Sequence, residues 1–201
     1  SGQLASGARI IQEQIAKTLG VSRQPVQQAL VLLRKRGVLQ EAPGRGLIVA
    51  PLDPDVVQHM YEIRAVIEGL ACRRAAERNA ARAAREGQAL IEAGRKAVAA
   101  NSLPRLIAAD IKFHQFIYEL SGNPLIAPAM DTYWTTTQRA MGEAVTHDEH
   151  PGDIWDQHAR ILQAVAAGNA ARAEELARGH ITQASGFMVP RLRGEAKAAT
   201  R

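Results

Sequence analysis

The stretch Gly20-Val21-Ser22-Arg23-Gln24-Pro25-Val26-Gln27-Gln28-Ala29-Leu30 decides the fold at the start of this chain of 201 residues. Its glycine ends one predicted helix, and Ser22 is placed to cap the next helix. Apolar residues recur at helical spacing on both sides of this turn, and they are Ile11, Ile15, Leu19, Val26, Ala29, Leu30 and Leu33. The second helix is expected to bury its share of them. Two helices joined by a short turn that contains glycine are typical of a helix-turn-helix.

The first turn of the second helix carries polar side chains that indicate a DNA partner. Arginine and glutamine make bidentate hydrogen bonds to guanine and adenine edges, and a helix N-terminus favours a phosphate. The residues predicted to contact DNA here are Ser22, Arg23, Gln24 and Gln27. The run Arg34-Lys35-Arg36 at the end of this helix either adds contacts to DNA or is simply a solvated helix end.

A β-hairpin is predicted after the second helix. β-branched residues between Val38 and Ala50 flank the turn Pro43-Gly44-Arg45-Gly46, and this pattern favours two short strands. The hairpin would form a wing beside the helix-turn-helix, with Arg45 and Gly46 at its tip. From there Arg45 would reach the minor groove.

The charge distribution supports a polyanion as the partner of this first segment. The whole chain carries a formal net charge of +5. Residues 1–52 hold seven lysines and arginines against two acids, whereas residues 53–201 hold 18 basic and 18 acidic residues. The excess positive charge is therefore confined to the first quarter, and the neutral remainder requires a different role.

The remainder is predicted to be helical throughout. Asp53 followed by Pro54 fits an N-cap with a first-turn proline, and good helix formers dominate the residues after it. Proline, glycine and asparagine divide this part into six helices, near residues 53–78, 80–100, 101–122, 124–146, 153–167 and 169–189. The fold class is therefore mainly α, with a winged helix-turn-helix at 1–52, an antiparallel all-α bundle at 53–190 and a frayed basic tail at 191–201.

The composition excludes several classes of protein. No stretch approaches the roughly 18 uninterrupted apolar residues that a membrane span needs. No basic-then-apolar leader is visible, and the single cysteine, Cys72, cannot form an internal disulfide. The expected compartment is therefore the reducing cytoplasm, with no membrane partner.

Four polar side chains of the bundle have the spacing of a metal site. Asp110 and His114 are four residues apart and share a helix face. His158 and His180 each lie roughly 15–16 Å along their helix from the turn Gly168-Asn169, so an antiparallel pair of helices puts them at the same height. One carboxylate and three imidazoles that converge would suit a divalent cation. From spacing alone, the alternative of separate residues on separate helix faces stays open.

The first segment resembles the winged helix of GntR-type bacterial repressors, whose usual wording is G-V-S-R-T-P-V-R-E-A-L. The residues that carry the likeness are 20–30, Leu33, Gly37, Val38 and 43–46. The resemblance covers residues 2–50 and implies DNA contacts from Arg23, position 27 and the wing. Gln24 stands where the family has threonine, and Gln27 stands where it has a base-reading arginine, which shifts the expected preference toward adenine. The family's first helix would precede Ser1.

The bundle resembles the FCD effector domain, which is found in the FadR branch of GntR regulators. The residues that carry this likeness are 110–114, 121–123, His158, Gly168, Asn169, Ala173 and His180. The domain binds a metal in most members through an aspartate and three histidines, which implies Asp110, His114, His158 and His180 as ligands. The implied divalent cation is zinc, with nickel or manganese as alternatives. His147 and His150 either bind metal too or lie in an exposed loop.

Two arginines are the candidates for contact with an effector, because a guanidinium binds a carboxylate through parallel hydrogen bonds. Residues 61–68 resemble the family's pattern and make Arg64 the first candidate, against the alternative of an i,i+4 salt bridge with Glu68. Arg139 is the second candidate, against the alternative of a surface role.

These features predict a bacterial transcription regulator that responds to a metabolite and binds palindromic operator DNA as a homodimer. The resemblance favours a repressor that holds a small organic acid at the metal, in the cytoplasm and on the nucleoid when DNA is bound. The alternative from another class is a metal-dependent hydrolase, whose Asp/His₃ site would activate water. No further acid or histidine is clearly placed as its general base, and the helix-turn-helix would have no role in it. A purely structural metal is a third possibility.

Overall fold

The computed structural model describes residues 4–144 and 151–199, with side chains over residues 4–143 and 153–194. The chain divides into two compact units, residues 1–52 and 53–201. The predicted fold class is confirmed, because a small winged helix precedes an all-helical bundle. In the part of the chain that is described, no helix has the length and apolar character needed to cross a membrane.

The first unit is a helix-turn-helix followed by a hairpin. Its elements are β1 (Arg9–Ile10), α1 (Gln12–Leu19), α2 (Arg23–Lys35), β2 (Leu39–Glu41) and β3 (Leu47–Val49). Gly20 adopts a φ of 65°, in the left-handed region, which ends α1 and turns the chain toward α2. The strand order is β1-β3-β2, with both pairs antiparallel. The hairpin prediction is confirmed by β2 and β3, whereas β1 is too short to give a period-2 pattern in the sequence.

The core of this unit is smaller than the apolar spacing predicts. It consists of the buried residues Ala16, Val26, Leu30, Leu39 and Val49. Ala29 and Leu33 were expected on the buried stripe of α2 and are exposed instead. The short sheet and the two-turn helix α1 cover only part of α2, so its other apolar positions meet solvent.

The second unit is a bundle around one long helix. Its elements are α3 (Pro54–Ala99), α4 (Leu103–Ser121), α5 (Ile126–Ala144), α6 (Pro151–Ala166) and α7 (Ala170–Ala199). Asp53 caps α3, because its Oδ1 accepts hydrogen bonds from the backbone N–H groups of Asp55 at 2.9 Å and Val56 at 3.4 Å. Helices α4, α6 and α7 all pack against α3.

Two predicted boundaries differ from the structure. The helices expected at 53–78 and 80–100 run together in α3, with a break at Asn79, whose φ is −138°. The amide of Asn79 there donates to the carbonyl of Leu120 at 2.7 Å. Helix α7 continues through Pro190 to Ala199, so the prediction of a frayed tail after residue 190 is wrong. The buried side chains of Met188, Val189 and Leu192 hold this part of α7 on the bundle.

Two glycines of α3 allow α6 to approach closely. A Cβ at Gly94 would lie 2.1 Å from the ring of Trp155, and a Cβ at Gly87 would lie 2.3 Å from Leu162. Both distances are shorter than any real contact, so these positions exclude a side chain. The indole of Trp155 fills the space above Gly94 and is 2% exposed. This close packing fixes α6, which carries one of the predicted metal ligands.

Candidate functional site

Four predicted metal ligands converge inside the second unit. Asp110 and His114 lie on α4, His158 on α6 and His180 on α7, and all four residues are buried. The Nε2 atoms of His158 and His180 are 3.1 Å apart. Oδ1 of Asp110 lies 3.6 Å from Nε2 of His158 and 3.8 Å from Nε2 of His114. The three imidazoles offer nitrogens that all lie within 4.8 Å of one another.

Two of these separations, 3.1 Å and 3.6 Å, match those expected around one divalent cation, and the separation of 3.8 Å is slightly longer. Ligand bonds of about 2.0–2.2 Å place neighbouring ligand atoms about 3–3.6 Å apart around one ion. Imidazole nitrogens together with one carboxylate oxygen suit zinc and the neighbouring transition metals, whereas calcium and magnesium prefer oxygen ligands alone. The donor set of this cluster therefore fits a transition-metal ion.

Two of the imidazoles are oriented by contacts to the ring nitrogen that faces away from the centre of the cluster. Nδ1 of His114 lies 2.8 Å from Oε2 of Glu68, and Nδ1 of His180 lies 2.8 Å from Oε1 of Gln157. An Nδ1–H that donates to these oxygens leaves the lone pair on Nε2, which faces the centre of the cluster. Glu68 and Gln157 thus set the tautomer that a metal ligand needs.

Burial keeps two of the imidazoles uncharged. It lowers the pKa of His180 to about 3, with repulsion from His114 as a smaller cause. It also lowers the pKa of His158 well below its ordinary value. The ring of His158 is stacked on Phe113 at 4.3 Å between centroids and meets the ring of Trp155 at 4.8 Å. Neutral imidazoles in such surroundings offer their lone pairs to a metal.

The buried carboxylate of Glu68 contacts both Arg64 and His114. Burial alone would raise its pKa, but His114, Arg64 and the hydroxyl of Tyr118 outweigh burial and lower the pKa to about 2. The pKa of His114 is raised, because its contacts with Glu68 outweigh burial. Burial raises the pKa of Asp110. Glu68 is therefore ionised under all ordinary conditions and serves both Arg64 and His114.

A cavity of about 260 Å³ opens beside the cluster. Asp110, His114 and His180 face this cavity, so an ion held by them would meet a ligand that enters it. The rest of the lining comes from α3, α5, α6 and α7 and consists of Tyr61, Arg64, Thr137, Met141, Asp153, Ile154, Gln157, Ile181, Gln183, Ala184, Phe187 and Met188.

Arg64 lines the same cavity and is only 2% exposed. Its Nη2 donates to Oε1 of Glu68 at 3.1 Å, and its Nη1 donates to the hydroxyl of Thr137 at 3.0 Å. The guanidinium carbon lies 5.2 Å from the ring centres of both Tyr61 and Trp134. Nε of Arg64 has no hydrogen-bond partner among the described residues. Arg64 therefore forms the i,i+4 salt bridge with Glu68 and also lines the cavity.

The structure does not bring Arg139 to the cavity. Thr137 and Met141 line it from α5, and Arg139 lies two positions from each of them. Because each residue turns a helix by about 100°, Arg139 projects from another side of α5. It is half-buried there, and burial lowers its pKa against the influence of Glu143. The expectation of a second arginine in the effector site is corrected on this ground.

Several polar residues of the site are not identified as site residues by the sequence analysis. Among them are Glu68, which appears there only as a salt-bridge partner, and Tyr118, Thr137 and Gln157, whose contacts depend on the tertiary packing. A signal for Glu68 exists, because Val57, Tyr61, Arg64, Glu68 and Cys72 form one buried stripe along α3. His147 and His150 lie outside the described residues.

The predicted DNA contacts all lie exposed on the first unit. They are Ser22, Arg23, Gln24, Gln27, Arg45 and Gly46. Ser22 occupies the N-cap position of α2, but its hydroxyl makes no capping hydrogen bond.

Two arginines of this surface already contact other residues of the unit. Arg23 pairs with Glu13 of α1, and the carbonyl of Arg45 accepts a hydrogen bond from Arg9 at 2.5 Å. Gln27 shares a shallow hollow with Arg34 and the wing residues Arg45 and Gly46. Residue 27 and the wing tip therefore belong to one continuous surface.

Comparison with known proteins matches both units. Residues 59–183 match the FCD domain, and residues 1–49 match the bacterial regulatory proteins of the gntR family. An HTH-type transcriptional regulator of Streptomyces ambofaciens is 29% identical over 89% of this chain and 75% of its own length. The HTH-type transcriptional repressor RspR of Escherichia coli is 24% identical over 90% of this chain and 80% of its own length.

Solved structures agree on the fold. McbR/YncC of E. coli gives a TM-score of 0.81 at 22% identity, over 93% of this chain and 89% of that chain. A GntR regulator from Rhodococcus gives a TM-score of 0.78 at 22% identity, over 94% and 90% of the two chains. The two family matches cover most of the residues and lie on the two units separately. The chain therefore belongs to the GntR family of transcription regulators, in the FadR-like branch whose second domain is an FCD domain.

Proposed function

We propose that this chain is a repressor that responds to a small carboxylate, which binds beside a divalent cation in the FCD domain. The observation that carries this proposal is the convergence of Asp110, His114 and His180 on a cavity that Arg64 also lines. Such regulators bind DNA through the winged helix, and the FCD domain is their effector domain. The proposal adds the ligand class, the cation and the sign of regulation.

The residues around the cavity suit a small organic acid. A divalent cation at Asp110, His114, His158 and His180, with zinc as first choice and nickel or manganese next, would supply a Lewis acid for a carboxylate oxygen. Arg64 would donate from its unpartnered Nε, or turn a terminal nitrogen from Thr137, to a ligand anion. A volume of about 260 Å³ limits the ligand to a small molecule.

The DNA half of the proposal rests on the exposed surface of α2 and the wing. Arg23 and Gln27 would contact base edges, and Ser22, Gln24, Arg45 and Gly46 would complete the contact in the cytoplasm of a bacterium, on the nucleoid. One recognition helix covers only a half-site, so a palindromic operator requires a homodimer. The E. coli relative RspR is named a repressor, which supports repression as the mode of action.

Ligand binding must favour one of two arrangements of the dimer to change operator affinity. A ligand that binds both arrangements equally shifts nothing, however tightly it binds. The cavity is lined by five different helices, so a ligand that contacts Arg64 of α3 and His180 of α7 would draw these helices toward one arrangement.

The hydrolase alternative is wrong, because the family consists of transcription regulators and not of enzymes. A structural role for the metal is the remaining competitor. It makes a different prediction, since chelation would then lower the melting temperature without altering ligand affinity.

The test combines metal analysis with operator binding. The purified chain, reloaded with zinc, should hold one ion per protomer, and His158→Ala should hold none. Citrate, malate and lactate are suitable carboxylate probes, and the operator fragment is found by selection from random DNA. The carboxylate that stabilises the zinc-loaded protein should weaken operator binding at least fivefold, and it should lose this effect in His158→Ala.

Three outcomes would contradict parts of the proposal. Absence of bound divalent ion after reloading removes the metal. A carboxylate that binds the bundle and leaves operator affinity unchanged removes the switch. A carboxylate that tightens operator binding removes release from DNA as its mode of action.

A further inference from the structure

We infer that the effector is a monocarboxylate with an uncharged, apolar body. Its carboxylate binds at the end of the cavity beside the proposed metal, and its body lies against a separate apolar end. This apolar end consists of Met141, Ile154, Ala184, Phe187 and Met188. The inference rests on the proposed function and deepens it, because it names the class of acid that the cavity takes.

The metal end of the cavity carries the cations that a carboxylate needs. Asp110, His114 and His180 face the cavity there, and a divalent ion on them would bind a carboxylate oxygen. Glu68 contacts both Arg64 and His114, at 3.1 Å and 2.8 Å, so the guanidinium lies beside the same ligands. One carboxylate of the effector therefore has two cationic partners at this end.

The apolar end lies one to two helical turns away from the metal end. On α7, Ala184 and Met188 follow His180 by four and eight residues, which is about 6 and 12 Å along the helix. On α6, Ile154 precedes His158 by four residues, again about 6 Å. A short turn joins α6 to α7 and makes them antiparallel, so both steps lead in the same direction away from the metal.

The side chains of the apolar end carry no charge and no N–H or O–H group. Met141 extends this end onto α5, one turn beyond Thr137. Met188 is buried, whereas Met141, Ile154 and Phe187 are half-buried and keep surface that a ligand can cover. Removal of such surface from water stabilises an apolar ligand, and unbranched methionine side chains adapt to its shape.

The charges of the lining disfavour a second carboxylate on the ligand. Among the described lining residues, Arg64 is the one lysine or arginine. Arg191 lies nearby but stacks on the ring of Phe187, 3.3 Å from its centre, and donates to the Phe187 carbonyl at 3.1 Å. The exposed carboxylate of Asp153 adds a negative charge next to Ile154. A second carboxylate at the apolar end would lose hydration and gain no cation in return.

Two acids that differ in one group test the inference. Hexanoate and adipate have chains of equal length, but adipate ends in a second carboxylate where hexanoate ends in a methyl group. The full chain, reloaded with zinc, should bind hexanoate at least tenfold more tightly than adipate. It should bind hexanoate about 15-fold more tightly than butanoate, since each buried methylene group contributes about fourfold. Isothermal titration calorimetry measures these affinities, with malate in the same series.

A charge placed at the apolar end should reverse the preference. Lysine is unbranched like methionine, so Met141→Lys brings a cation to this end with little change of shape. The variant should bind adipate more tightly than hexanoate. Met141→Leu is the matched control, because it keeps the apolar surface and should keep the wild-type order of affinities. Tryptophan fluorescence and zinc content check that both variants are folded.

The outcomes separate the inference from the proposed function. A folded, zinc-loaded Met141→Lys chain that keeps the wild-type preference overturns the inference, because the apolar end then does not contact the body of the ligand. Tighter binding of adipate or malate than of hexanoate to the wild-type chain also overturns it and leaves the proposed function standing. A zinc-loaded chain that binds none of these acids, or that binds hexanoate no better than His158→Ala does, overturns both.

Discussion

The DNA-facing surface and the polar centre of the bundle use the same kinds of side chain in opposite surroundings. On the first unit, Arg23 is about two-thirds exposed and forms an ion pair with an equally exposed acid. In the bundle, Arg64 is 2% exposed and contacts Glu68, Thr137 and two aromatic rings. One arginine is free to rearrange toward a partner, and the other is fixed before any ligand arrives.

This contrast separates two ways of recognising an anion. An exposed side chain must be ordered when it binds, so part of its interaction energy is lost to entropy, but it tolerates sequence change without harm to the fold. A buried arginine is already ordered, and its removal or that of its partner leaves an uncompensated charge in the interior. Mutations should therefore affect stability in the bundle and binding alone on the winged helix.

The largest effect is expected from Glu68→Gln. The amide oxygen can still accept a hydrogen bond from His114, but it carries no negative charge to neutralise the buried Arg64, so the free energy of unfolding should fall by about 3–5 kcal/mol. Trp134 and Trp155 both lie in the bundle, so their fluorescence in urea follows this unit alone. Glu92→Gln, at an exposed position of the same helix, is the matched control and should leave the transition in place. Equal, small shifts of the urea transition in both variants would mean that the buried network contributes no more to stability than a surface acid does.

The corresponding experiment on the first unit is the substitution Arg23→Ala, which should change DNA binding and not stability. Loss of a base contact should weaken operator binding by about 1–3 kcal/mol, or about 5- to 150-fold. The urea transition of the bundle should not move, because Arg23 is exposed and lies in the other unit. Fluorescence anisotropy with operator and with scrambled DNA of the same length measures both affinities, and Arg85→Ala is the control for loss of one exposed charge. An equal loss of affinity for both DNAs would show that Arg23 contacts a phosphate and not a base. The exposed arginine would then contribute charge and no sequence recognition.

A smaller effect is expected from Gln157→Ala. Gln157 holds Nδ1 of His180 at 2.8 Å but is not itself one of the proposed ligands, and loss of such a supporting contact lowers metal affinity about 10- to 100-fold. Competition with a chromophoric zinc chelator measures this affinity. Gln163→Ala, exposed on the same helix, should bind zinc like wild type. Unchanged affinity in Gln157→Ala would show that packing alone orients His180.

The sequence predicts the architecture well because local signals agree with it. Gly20, Asp53 and Gly168-Asn169 mark helix ends in the sequence and in the structure alike. The errors arise where tertiary contacts override local signals. Pro190 predicts a helix end, but the buried side chains around it carry α7 onward. Ala29 and Leu33 have the spacing of a buried stripe, and too little of the small unit covers them.

The candidate site also contains some residues that the sequence could place and others that it could not. His158 and His180 could be placed at one height from their distances to a turn, and their Nε2 atoms lie 3.1 Å apart. Gln157 could not be identified, because its contact with His180 depends on how α6 rotates against α7. Arg139, the second candidate, lies two positions from Thr137 and from Met141, and a shift of two positions on a helix changes the side that a residue faces.

The smallest effect, and the finest test of the exposed surface, is Gln27→Arg. Gln27 lies beside Arg45 and Gly46 in the hollow of the winged helix, and a glutamine there favours adenine. Arginine should move the preference at one position of each half-site to guanine by about 1–2 kcal/mol, at the low end for a bidentate contact because the long side chain must be ordered. Selection from random DNA with both proteins measures the shift, and Gln28→Arg, exposed one position away, is the control for added charge. The contrary result is that both variants bind all sequences more tightly without a change of preferred base. Residue 27 would then contribute charge and not base recognition, and the winged helix would read sequence through Arg23 and the wing.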